Sequence, residues 1–248
     1  MEQKVGIQLI VYGRRPGEDL AGVLKEVAEA GYAGVEGGVP RGMEPQQVRD
    51  LYAQNNLLLS GSHTGFADLA DPAKLEAHIS FLKLMGSKAL MCSGIDNHQA
   101  GLSAYKSAGK VFEQVGRTCK AEGIDFCYHN HAWEFEVFDG KKAIHYLAEV
   151  TDPELVKLCV DVYWVHVGGE NPVEFIERYA NRIGYFHFKD GAPGSFTELG
   201  KGEVDLKACL AAARKLPVEW ITYEQDHTDL EPKEAAAQSR QYLRTLGI

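Results

Sequence analysis

Eight times along its 248 residues the chain passes from a short apolar stretch to a longer segment with helical periodicity. Strands joined by crossover helices run parallel, so this alternation admits two architectures, an open doubly wound sheet or a closed (β/α)8 barrel. The predicted strands are Val5–Val11, Ala33–Glu36, Leu57–Ser62, Lys88–Cys92, Ile124–His129, Val156–Val162, Ile183–Phe188 and Val218–Glu224. The predicted helices are Glu18–Ala30, Pro45–Asn55, Pro72–Met85, Leu102–Glu122, Lys141–Val150, Pro172–Ala180, Asp205–Lys215 and Pro232–Thr245. Leu20, Val23, Leu24 and Val27 recur at helical spacing, and Gly31, Gly86 and Gly123 fall where C-terminal caps belong. No G-x-G-x-x-G follows the first strand, and polar residues end many strands. Both points favour the barrel, whose usual size is about 250 residues. With no linker or composition break, residues 1–248 read as one α/β domain, a single (β/α)8 TIM barrel.

A formal net charge of -9 gives no bulk basic footprint for nucleic acid and disfavours anionic membranes. The expected partner is a small molecule, with a homo-oligomer left open. Cys92, Cys119, Cys127, Cys159 and Cys209 are odd in number and form no C-x-x-C pair, as in a reduced thiol set. No run approaches the ~18 apolar residues of a membrane span, and Met1–Gly6 lacks an apolar signal core. A cytoplasmic location is the expectation.

The chemistry concentrates after the last four strands. The fifth ends in Cys127-Tyr128-His129-Asn130-His131-Ala132-Trp133-Glu134, the sixth in Cys159-Val160-Asp161, the seventh in Phe186-His187-Phe188-Lys189-Asp190, and the eighth in Thr222-Tyr223-Glu224-Gln225-Asp226. An ionised carboxylate in an apolar barrel costs several kcal/mol (of order, after relaxation) unless it is paired. A divalent cation shared between neighbouring strand ends would neutralise such groups. Three carboxylates and one imidazole suit Mn²⁺, Mg²⁺ or Co²⁺ better than the thiolate-rich sites of zinc, with Zn²⁺ still open. Taken singly, Asp161 also fits a turn-former and His187 a core histidine held by backbone.

At these residues the sequence resembles the xylose isomerase-like TIM-barrel superfamily, and within it the sugar phosphate isomerase/epimerase group that includes inosose dehydratase. The resemblance spans nearly the whole chain. It rests on Tyr-His-Asn-His-x-x-Glu-Phe at 128–135, Val-Asp-Val-Tyr-Trp-Val at 160–165, Phe-His-Phe-Lys-Asp at 186–190, Glu-Leu-Gly-Lys-Gly at 198–202 and Tyr-Glu-Gln-Asp at 223–226. It implies one divalent metal on Glu134, Asp161, His187 and Glu224, with His129 or His131 as the substitute for Glu134 on the fifth strand. Endonuclease IV shares the fold, but Trp164 stands where that branch has a further histidine, and the acidic balance adds to the case against a nuclease.

The chemistry implied by the resemblance is metal-assisted proton transfer beside a sugar carbonyl, through a metal-stabilised enediolate. An isomerase or epimerase is the leading expectation, and a lyase of the inosose dehydratase or 3-keto-glycoside-eliminating kind is the alternative. A non-catalytic sugar-binding barrel is the weakest reading. Glu134, Glu224, His131 and Lys189 are the expected acid, base and oxyanion-stabilising groups. Glu36, His63, His129, Trp133 and Trp164 are the expected substrate contacts. A Lys189 ion pair with Glu198 or Asp190 competes with its catalytic role.

Overall fold

A computed structural model describes residues 3–248. Its eight parallel strands are β1 (Lys4–Gln8), β2 (Gly34–Glu36), β3 (Leu58–Gly65), β4 (Ala89–Ser93), β5 (Asp125–His129), β6 (Lys157–Asp161), β7 (Ile183–Phe188) and β8 (Trp220–Tyr223). Each pairs with the next and β8 pairs with β1, so the sheet closes into a barrel. The main crossover helices are α1 (Leu20–Ala30), α2 (Pro45–Gln54), α3 (Pro72–Met85), α4 (Leu102–Ala121), α5 (Ala143–Glu149), α6 (Pro172–Arg178), α7 (Leu206–Ala213) and α8 (Pro232–Thr245). The chain is therefore a (β/α)8 TIM barrel.

Local chemistry sets the element ends. Asp19, Asp71, Asn171 and Asp205 accept backbone N–H bonds at the starts of α1, α3, α6 and α7. Gly31 and Gly86 close α1 and α3 in the left-handed conformation. Three features depart from the sequence reading. β1 stops at Gln8, because Gln8 caps a 3-10 turn over Leu9–Tyr12. β3 runs on to Gly65. A short helix, Val162–Val167, starts directly at Asp161, whose side chain caps it.

Strand alternation sorts the core into two layers. Ala89, Met91, Cys127, Cys159, Tyr185 and Trp220 fill the barrel interior. Leu90, Tyr128, Val160, Phe186, Ile221 and Tyr223 face the helices in the larger outer cluster. Inside, Thr222 donates to the Tyr185 hydroxyl, which donates to Ser60 Oγ, both at 2.7 Å. Gly34 makes room for Trp220, since a Cβ there would stand 2.6 Å from the indole. All five cysteines are buried free thiols. Among the described residues no helix is long and apolar enough to cross a membrane.

The outer layer makes a prediction at Gly116 in α4. A Cβ there would stand 2.1 Å from the Leu155 carbonyl oxygen. Gly→Ala in an exposed helix gains up to about 1 kcal/mol; Gly116→Ala should instead cost about 1–3 kcal/mol, as overpacking does. Urea unfolding reads the difference, and an unchanged or raised midpoint refutes the close contact.

Candidate active site

Alternation that puts Cys127, Cys159 and Tyr185 inside the barrel also turns His129, Asp161 and His187 inward, two residues nearer the C-terminal end. Register aligns them: Asp161 pairs with His187, and His187 with Thr222, two residues before Glu224. His129, Asp161, His187 and Glu224 are all buried, with one ligand-type atom from each lying within 4.8 Å of the others. Asn130 locks the fifth and sixth strand ends. Its amide donates to the Asp161 carbonyl at 3.2 Å and its carbonyl accepts from Asp161 N–H at 3.1 Å.

Glu134 stands apart from this grouping. β5 ends at His129, and Glu134 lies on a 3-10 turn, Trp133–Phe135. Its carboxylate accepts from the Tyr128 hydroxyl at 2.5 Å and from His131 N–H at 2.7 Å. Tyr128 belongs to the outer layer, so Glu134 is drawn away from the interior cluster, where His129 takes the fifth-strand place. Burial pushes the Glu134 carboxyl up to about 7 against these hydrogen bonds.

Glu36 ends β2, fully buried. Its Oε2 accepts from His187 Nε2 at 2.6 Å, and its Oε1 lies 3.2 Å from His63 Nδ1. With both oxygens engaged by imidazoles, Glu36 orients His187 rather than standing free for a hydroxyl group. Burial opposes its charge, but His187 first and His63 after it hold its pKa below the ordinary value. His63 Nε2 also reaches Ser93 Oγ at 3.0 Å, a partner that the sequence reading did not single out.

His187 lies between two carboxylates, with Nδ1 2.7 Å from Glu224 Oε2. Burial disfavours its charge, but Cys159, Glu224 and Glu36 outweigh burial and raise its pKa. Asp161 Oδ1 caps the following helix by accepting from Tyr163 and Trp164 N–H, so its turn-forming role is real. Its Oδ2 is buried without a hydrogen-bond partner, and burial pushes its pKa up to about 6 although Lys189 pulls the other way. Burial also holds His129 well below the ordinary histidine range.

Lys189 is fully buried. It donates to Glu224 Oε1 at 2.7 Å, lies 2.7 Å from Asp226 Oδ2 and stands 3.4 Å from Asp161 Oδ2. It pairs with neither Glu198 nor Asp190. Glu198 binds Lys201 and Thr228, and Asp190 accepts backbone N–H bonds from Gly191, Gly200, Gly202 and Val204. Asp226 and Asp190 are site-building residues that the strand-end argument missed. The signal for Asp190 was the glycine-rich Leu-Gly-Lys-Gly segment that wraps around it.

Aromatic rings edge the cluster. His131 stacks on Trp133 at 4.0 Å between centroids, and Trp133 stacks on His98 at 5.6 Å. Trp164 lies 5.6 Å from the His131 ring and 5.0 Å from Lys189 Nζ. Burial, then the charge of Lys189, push the His131 pKa down to about 3, leaving a neutral ring. His131 Nδ1 and both indole N–H groups are buried without partners.

The donor set fits a divalent cation. Asp161 Oδ2 and His187 Nδ1, two of the cluster's buried polar atoms, have no aligned hydrogen bond. The other His187 nitrogen is fixed by a carboxylate, as metal-ligating histidines commonly are. His129, Asp161, His187 and Glu224 would hold the ion.

A family model described as xylose isomerase-like TIM barrel matches residues 24–246. The chain is 28% identical over 268 residues to an inosose dehydratase from Geobacillus kaustophilus, covering 90% of this chain and 86% of that one. Among solved structures, a sugar phosphate isomerase/epimerase from Parabacteroides distasonis has a TM-score of 0.80 at 20% identity, covering 98% of this chain and 94% of that one. A probable 3-DHS dehydratase from Bacillus anthracis has a TM-score of 0.78 at 12% identity, covering 98% and 99%. At these identities the structural likeness speaks to the fold.

The geometry separates two ligand sets. His129→Ala and Asp161→Asn should each lose stoichiometric Mn²⁺ by elemental analysis after dialysis, whereas Glu134→Gln should retain it. Loss in Glu134→Gln with retention in His129→Ala would restore Glu134 as the ligand.

Proposed function

The chain belongs to the xylose isomerase-like TIM barrel family, and we propose that it is a metal-dependent lyase that eliminates water from a polyhydroxylated cyclic ketone. The observation that carries this reading is the composition of the interior cluster: one glutamate, Glu224, beside Asp161 and two imidazoles, with the carboxylate of Glu134, on the turn after β5, tied to Tyr128 and His131. Glu134, the carboxylate expected to pair with Glu224 in an epimerisation, is turned to Tyr128 and His131 instead, which favours elimination. The relatedness to an inosose dehydratase supports the same class.

A divalent cation at this site supplies Lewis-acid polarisation of a carbonyl, which acidifies the adjacent C–H bond. His131 has a buried Nδ1 with no hydrogen-bond partner, and we assign it the acceptance of that proton. Lys189, charged through its carboxylate neighbours, gives a proton to the departing β-hydroxyl, which leaves as water while His131 keeps the proton taken from carbon. The Trp133 and Trp164 indole N–H groups are free donors for ring hydroxyls, and their faces suit the apolar side of a cyclitol ring. Glu36 holds His187 in one orientation while these groups act.

An isomerase or epimerase is the second reading. It shares the proton-abstraction step and differs in that the proton returns to carbon. His131 and Lys189, both close to Trp164, are two proton carriers that favour it.

Incubating the Mn²⁺-loaded protein with a keto-cyclitol and a ketohexose distinguishes the two. A product lighter by one water is expected from the keto-cyclitol. A product of unchanged composition carrying solvent deuterium at carbon would transfer the assignment to the second reading, and no turnover of either compound would remove both. Lys189→Met should lower kcat/KM by about 10²- to 10⁴-fold, the usual range for losing a proton-transfer group. Unchanged kcat/KM would take Lys189 out of the reaction.

A further inference from the structure

Lys189 has three carboxylate neighbours, and they are not alike. Glu224 Oε1 at 2.7 Å and Asp161 Oδ2 at 3.4 Å belong to the buried cluster that would hold a cation. Asp226 Oδ2, also at 2.7 Å, lies outside that cluster, and its side chain is 34% exposed. The ammonium thus spans a buried carboxylate pair and a wetter one at the edge.

A divalent ion and an ammonium cannot both approach Glu224 and Asp161 closely without repelling each other. Lysine carries its charge on a flexible four-carbon stem, so moving the charge by a few ångströms costs little more than a change of rotamer. Trp164 and Phe196 present rings 5.0 and 5.4 Å from Nζ, cation–π surfaces along which a shifted ammonium stays stabilised.

We propose that Lys189 is a displaceable internal counter-cation: it neutralises Glu224 and Asp161 in the metal-free protein and retreats onto Asp226 when a divalent ion takes those carboxylates. The proposal rests on the metal reading above and adds a function for Asp226, which holds no place in the ligand set. The arrangement solves a problem that every buried acidic metal site has. Before loading, its carboxylates lie together in a low-dielectric interior, and leaving them unpaired is strongly destabilising. The lysine removes that penalty, at the cost of competing with the incoming ion.

The test is calorimetric Mn²⁺ titration of wild type, Lys189→Met, Asp226→Asn and the double variant, with thermal melts in chelator. Lys189→Met should bind Mn²⁺ about tenfold or more tightly, because no cation has to be displaced, and should melt lower in chelator. Asp226→Asn, which removes the docking place, should bind Mn²⁺ about threefold or more weakly. In the Lys189→Met background the same Asp226 change should shift affinity by less than about twofold, since a through-space charge effect alone would persist there. Should Lys189→Met fail to fold, Asp226→Asn at its partly exposed position carries the test, and unaltered Mn²⁺ affinity in it overturns the proposal. Wild-type binding with equal or weaker affinity in Lys189→Met overturns it while leaving the metal site standing. Absence of Mn²⁺ binding in wild type and all variants overturns the metal reading and this proposal together.

Discussion

Glu36, Asp161, Glu224 and Asp226 converge on two nitrogen-bearing side chains, the His187 imidazole and the Lys189 ammonium, at the C-terminal end of an apolar barrel. Three of these acids are buried, and carboxylates gathered in a nonpolar interior repel one another unless positive charge stands between them. His187 joins Glu36 to Glu224, and Lys189 joins Glu224 to Asp161 and Asp226. His187 on β7 and Lys189 just past its end are two residues apart, so this segment faces the carboxylates that come from β2, from β6 and from the residues after β8. Removing either side chain leaves buried acids unpaired. The surrounding structure is arranged to keep the pairing fixed: Asn130 ties β5 to β6 by two hydrogen bonds, and Asp190 gathers four backbone N–H groups of the loop after β7.

The same arrangement assigns each group a different chemical state. Glu224 is held ionised by His187 and Lys189 against the effect of burial. Glu134, buried with only neutral donors, is pushed up to about 7 instead. His131, desolvated and beside the lysine charge, stays neutral, while His187 between two acids is driven toward the protonated form. Carboxylates and imidazoles of ordinary intrinsic acidity therefore become a charged cluster and a neutral proton acceptor within one barrel mouth. This division of labour is what proton abstraction beside a carbonyl needs, since a cation, an oxygen-directed donor and an uncharged base must coexist without neutralising each other. The proposed elimination and the isomerisation kept as its rival share that abstraction and differ only in the second proton transfer.

Much of this was legible in the residues themselves. The eight β/α units follow from hydrophobic periodicity and from capping residues whose local chemistry does not depend on distant parts of the chain. Ile183–Phe188 and Pro232–Thr245 match the predicted spans, and Asp71, Asn171 and Asp205 cap the helices expected of them. Asp161, His187 and Glu224 were identifiable because ionisable residues at the ends of apolar strands of a parallel barrel have one common place to point. The local helix at Val162–Val167 went unseen because its residues are apolar enough to continue the strand, and only the Asp161 cap turns the chain.

Which fifth-strand side chain joins the cluster was decided by tertiary structure. β5 ends at His129, as its predicted span has it, but sequence order does not reveal the path the chain takes beyond that residue. Because the strand stops at His129, alternation directs that imidazole inward and Tyr128 outward, and the Tyr128 hydroxyl then captures Glu134 as the chain turns back. The partners of Lys189 were equally hidden: Asp190 is its neighbour in the chain, but its carboxylate is committed to backbone N–H groups of a loop, which leaves Glu224 and Asp226, just after β8, to meet the ammonium. The amino-acid sequence thus determined the barrel, the end of it that carries the chemistry and the residue types gathered there. Closure of the sheet and the register between strands decided which of those side chains share one volume, because a one-residue slip in register would turn every side chain of a strand to the opposite face.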